Sequence, residues 1–155
     1  MLDRFHRYFR AVLEYTAIIL MIGLTLVVIA GVAFRKAGAS LVWYDEVASI
    51  LLVWLTYYGA CLAALDRAHI GFPTIVQSVG PGLRRSLLWI REGVVIAFFL
   101  LTAWAGWRVL LVLEGSYLAS LPWVPARLTQ SVIPIGSVLF ILAELLSLRE
   151  RRPRQ

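Results

Sequence analysis

Four long apolar runs divide the chain. Residues 15–34, 47–65, 93–107 and 128–143 carry no charge. The third run continues past Arg108 to Leu113, and the fourth past Glu144 to Leu148. A membrane-spanning helix needs roughly 20 mostly apolar residues. The pattern therefore predicts four transmembrane helices, at about 12–34, 45–66, 88–113 and 128–148. The single charges in the third and fourth runs lie near helix ends, where side chains snorkel to the headgroups. The expected fold is an all-α integral membrane protein, one four-helix domain over residues 1–155 without internal repeats. In the second connection, Ile75, Val76 and Val79 recur at helical spacing with Gln77 and Ser78 opposite. This suits a short amphipathic helix lying on the membrane surface. Pro81-Gly82 then turns the chain toward the third span. Pro134 either belongs to the first turn of a helix starting near Ser131 or kinks one starting near Leu128.

Composition agrees with a nonpolar solvent: 61% of the 155 residues are apolar, against about 45–50% in soluble domains. The net charge of +6 raises the question of nucleic acid, but the basic residues flank the spans. Eleven of the 15 lie in the N-terminal segment, the second connection and the C-terminal tail; the other four are Arg35, Lys36, Arg108 and Arg127. By the positive-inside rule both termini are expected in the cytoplasm. Anionic lipid headgroups are then the natural partners of the arginines, and nucleic acid is not. The N-terminal apolar run exceeds the roughly 7–15 residues of a signal peptide core, so the first helix is expected to be retained. Trp43, Tyr44, Trp89 and Trp123 fall at the expected interfaces.

Polar residues concentrate at the ends of the second span. It opens with Asp45 and Glu46, where the helix dipole favours negative charge, and closes with ALDRAHIG. Arg67 and His69 suit a helix exit, which Gly71 and Pro73 complete. Asp66 is at odds with the dipole, and an ion pair with His69 three residues on would resolve the conflict. The span centres hold no ionisable residue apart from tyrosine. Thr25, Thr56, Tyr57, Tyr58, Thr102 and Ser137 are expected to bond within or between helices. Ion-coupled transporters usually place acids, bases or broken helices near the midplane, so a substrate path through this chain alone is not expected. A nucleophile–His–acid set would need residues to converge, and His6 and His69 are the only histidines. There is no Cys/His cluster for a metal and no phosphate-binding glycine loop. No catalytic residue, cofactor or enzyme activity is expected. Cys61, the single cysteine, is read as a packed thiol. Glu14 lies four residues after Arg10, the spacing of an interfacial ion pair. Gly59 with Ala63, and Ala60 with Ala64, form small-xxx-small pairs that permit close helix approach, inside the bundle or with another protein. Trp54, Trp104 and Trp107 face either lipid or a partner groove.

The segment WYDEVASILLVWLTYYGACLAALDRAHIGF resembles the small membrane subunit, DctQ type, of tripartite ATP-independent periplasmic (TRAP) transporters. The resemblance rests on Trp43, Asp45-Glu46, Trp54, Gly59-Ala60 and His69-Ile70, with Arg35 near the end of the first helix. Asp45 stands where Glu is commoner in the family. The resemblance implies a bacterial inner-membrane, multi-pass subunit that pairs with a large multi-span subunit carrying substrate and sodium. A periplasmic binding protein delivers the substrate, usually an organic acid. The small subunit would be a scaffold beside an elevator-type transport domain. The named residues enter as family-pattern positions, not as substrate ligands.

Two other readings stand against this one. A self-sufficient homodimeric multidrug-type transporter would depend on an acid such as Glu14. A membrane enzyme or assembly factor would need a reactive cluster.

Overall fold

The computed structural model describes residues 2–66 and 81–150, all helix and connecting loop without strands. Its helices are α1 (Leu2–Lys36), α2 (Tyr44–Leu65), α3 (Pro81–Val112), α4 (Ala126–Gln130) and α5 (Val132–Glu150). Four helical stretches are long and apolar enough to cross a membrane: Arg4–Lys36, Tyr44–Leu65, Ser86–Val112 and Ala126–Leu148. The expected surface helix at residues 73–80 lies outside the described residues.

Helix ends differ from the sequence expectation in ways that local chemistry explains. α1 starts at Leu2 rather than near residue 12 and is 35 residues long, about 50 Å at 1.5 Å per residue. That exceeds a hydrocarbon core of about 30 Å, so its arginine-bearing first turns extend beyond the apolar slab. It stops where Gly38 adopts φ +78°. Gly38 N–H then donates to the Arg35 carbonyl and Ala39 N–H to that of Phe34, which satisfies the last carbonyls in a Schellman motif. α3 begins at Pro81 rather than near residue 88, because proline is well suited to a first helical turn. The fourth span is two pieces: α4 ends at Gln130, Ser131 intervenes, and α5 carries Pro134 in its first turn. Of the two readings of Pro134, the first-turn one holds for α5, with a separate short helix before it.

The spans pack in the spatial order α1, α2, α5, α3; α1 and α3 have at most marginal contact with each other. The bundle is therefore open along one side. Its densest region lies toward the end that carries the termini. There Leu13 of α1, Cys61, Ala64 and Leu65 of α2, and Phe140 and Ala143 of α5 are buried together. Val95 and Phe99 of α3 pack on this cluster. From mid-span to the opposite, loop-bearing end the helices are held by close approaches onto glycines. The Tyr44 ring occupies the space a Cβ on Gly31 would need. A Cβ on Gly106 would sit 2.8 Å from Ile133, and one on Gly136 only 2.6 Å from the Tyr57 ring.

Candidate functional site

The two ends of α2 and its middle hold most of the singled-out residues, in three different settings. At the loop end, Arg35 of α1 lies over the Tyr44 ring, 5.3 Å from its centroid. Trp43 is the N-cap of α2 and is exposed. Asp45 and Glu46 sit in the first turn, but only Glu46 is engaged over a long range. Its Oε2 accepts from the backbone N–H of Ser120 at 2.9 Å and from the Ser120 hydroxyl. Ser120 reaches it because the loop after α3 folds back on itself. Gly115 turns at φ +81°. Ala126 N–H then donates to Ser116 and Leu118 N–H to Val124. Val42, Asp45, Glu46, Ser49, Ala119 and Ser120 line a shallow open recess of about 460 Å³ there.

In mid-span, Trp54 is half-buried and its Nε1–H donates to the Thr129 carbonyl at 3.0 Å. Its ring lies tilted against Tyr58, 6.5 Å between centroids. The Cys61 thiol faces the Gly136 carbonyl at 3.5 Å, in keeping with a packed sulfhydryl. The two small-residue pairs divide. Ala64 is buried in the core and Ala60 packs against it, whereas a Cβ at Gly59 would meet nothing within 4 Å. Ala63 is half-buried. The hydroxyls of Thr25, Thr56, Thr102 and Ser137 donate to the carbonyls of Met21, Leu52, Phe98 and Ile133 on their own helices. Trp104 and Trp107 are exposed on α3, and Arg108 lies over Trp104 at 5.9 Å.

At the termini end the structure adds a long-range ion pair and departs from two local readings. Asp66 is bound by Arg10 of α1 through a bidentate pair at 2.9 and 3.0 Å. His69, its expected partner, lies outside the described residues, as does Arg67. Glu14 is exposed and acts on Arg10 electrostatically, while the close contacts of the guanidinium go to Asp66. Such a bidentate fork adds geometric specificity as well as strength. Glu144 does not snorkel. It is buried on α5, as is Glu92 on α3, and Arg91 Nη2 lies 2.5 Å from Glu92 Oε1 and 3.6 Å from Glu144 Oε1. The sequence reading passed over Glu92. Its signal was an acid directly beside Arg91, just inside an apolar run, with a second acid at a matching depth on the last span. Among the described residues no three His, Cys, Asp or Glu side chains come together as a metal site would require.

Apolar spans, hydroxyls turned onto their own helices and ionised groups gathered at both ends define a small multi-pass helical membrane protein. Comparison with protein families narrows this. The family described as "Tripartite ATP-independent periplasmic transporters, DctQ component" matches residues 24–154. The chain belongs to that family. It is thus a component of a TRAP transporter, from a transporter family rather than an enzyme family, and its working partners are the other components of that assembly. Comparison with curated proteins gives no match.

Proposed function

We propose that this chain is the fixed scaffold subunit of a sodium-coupled TRAP transporter for organic acids in a bacterial inner membrane. It stands beside a large elevator-type subunit that carries substrate and sodium, and a periplasmic binding protein supplies the solute. In this reading residues 1–155 act as a single membrane domain with both termini in the cytoplasm. The loop end, with Arg35, Trp43, Asp45 and Glu46, then faces the periplasm, and His69 the cytoplasm.

One observation carries the reading. The Thr25, Thr56, Thr102 and Ser137 hydroxyls at the span centres are bonded back onto their own helices, and the ionised side chains lie toward the two ends. A translocation path needs polar groups that face a shared cavity near the midplane. The bundle is also open between α1 and α3, which leaves broad apolar faces for lipid and for a larger neighbour. On α2, Gly59 is the small residue whose surroundings are open, and a partner helix could approach closely there with Ala63 beside it. Ala60 and Ala64 serve packing within the chain.

The test is a mild-detergent pull-down of the tagged chain from its native membrane, with mass spectrometry of the recovered proteins. Stoichiometric recovery of one large multi-span protein is expected. Recovery of the chain only with itself would overturn the reading. Gly59→Leu should lower the yield of the complex while leaving the isolated chain folded.

A further inference from the structure

The paired acids at the start of α2 read alike in the sequence, and the structure separates them. Asp45 is exposed, whereas Glu46 is half-buried and turned to the tip of the loop between α3 and α4. That loop is a hairpin closed by its own bonds. Tyr117 and Pro125 pair as an antiparallel bridge. Leu118 N–H donates to the Val124 carbonyl and Val124 N–H to that of Leu121. At the base Arg127 lies 3.8 Å from Glu114. These bonds shape the hairpin from within. Ser120, at the tip, gives its backbone N–H, at 2.9 Å, and its hydroxyl to one oxygen, Glu46 Oε2. An ionised acceptor makes such bonds roughly twice as strong as a neutral one. Two donors from one residue on one oxygen fix the direction of the tip as well as its distance.

We infer that Glu46 is the positioning residue of this hairpin: its carboxylate grips the tip through Ser120 and seats the hairpin on the first turn of α2. Asp45, its neighbour in the same recess, takes no part. The same turn of α2 is fixed to α1, because the Tyr44 ring lies against Gly31 and under Arg35. The outer spans α1 and α3 have at most marginal contact with each other, yet their loop ends are thereby joined through one turn of α2. Glu46 acts inside this subunit, and its loss reaches a partner through the placement of the hairpin. The inference concerns the chain by itself and does not rest on the transport reading.

Hydrogen exchange, followed by mass spectrometry on the full chain in lipid nanodiscs, tests this. Glu46→Leu should speed exchange in peptides covering residues 116–124 about fivefold, the effect of one typical net hydrogen bond, with residues 136–148 unchanged. Asp45→Leu, the same kind of change one residue away, should alter it less than about twofold. Glu46→Gln is close to leucine in size but keeps an acceptor oxygen, so its rate should fall between native and Glu46→Leu. Ser120→Ala should speed exchange in the native background and add less than about twofold to Glu46→Leu, because both remove the same contact. No effect of Glu46→Leu, an equal effect of Asp45→Leu, or full additivity with Ser120→Ala would overturn the inference. If Glu46→Leu does not accumulate, the comparison passes to Glu46→Gln. Faster exchange there than in Asp45→Asn supports the inference, and equal rates overturn it.

Discussion

The first and fourth spans are both long and apolar, yet they are placed oppositely. Of the most apolar window in the span Arg4–Lys36, 6% is buried inside the protein; in the span Ala126–Leu148 the share is 44%. The difference teaches that, in a bilayer, apolarity says only that a segment leaves water. Lipid is as apolar as leucine, so no hydrophobic force draws one apolar helix inward over another. Shape decides instead. α5 offers Gly136 to the Tyr57 ring, Ala143 to the core, and a stacked Phe140 to Phe99 with ring centroids 3.7 Å apart. α1 turns Tyr15, Ile19 and Leu26 outward and commits Leu13 to the core.

This contrast can be broken by substitution, and thermal melting of the purified protein in lipid nanodiscs is the common measurement. Phe140→Ala should have the largest effect. Phe-to-Ala changes in soluble cores cost roughly 3–5 kcal/mol, and here the loss should be about 2–3 kcal/mol because transfer to lipid adds little. Gly136→Ala should follow, at about 1–2 kcal/mol, since the new methyl must displace Tyr57 in a packed seam. Arg10→Ala should cost less than Gly136→Ala, as expected of a half-exposed ion pair, and the cost should shrink as salt is raised. Ile19→Ala should be smallest, within about 0.5 kcal/mol. A large loss at Ile19 in the isolated chain would mean that the outward face of α1 supports the fold, and the contrast would fail.

The same physics explains what the sequence made legible. Each span could be read from its own residues, because leaving water is a property of each residue along the run. The short small-residue pairs of α2 were visible too, but not their division: Ala64 faces the core and Gly59 faces away, and nothing within α2 distinguishes them. The long-range partners were out of reach for the same reason. Asp66 pairs with Arg10 from a different helix, and Glu46 with Ser120 from a loop folded back by Gly115. Neighbours along a helix are the only partners a sequence displays. Glu144 was read as snorkelling from its place near a helix end, and only packing against α3 shows it buried beside Arg91. Identity was the exception, since the pattern from Trp43 through His69 resembled the family that matches residues 24–154.

The central claim is that this subunit supports transport without providing a path of its own. Reconstitution tests it most directly: sodium-driven uptake of an organic acid into proteoliposomes holding this chain alone, the large subunit alone, or both, each with the binding protein outside. The account predicts uptake only when both membrane subunits are present. Uptake by vesicles holding this chain alone would contradict it.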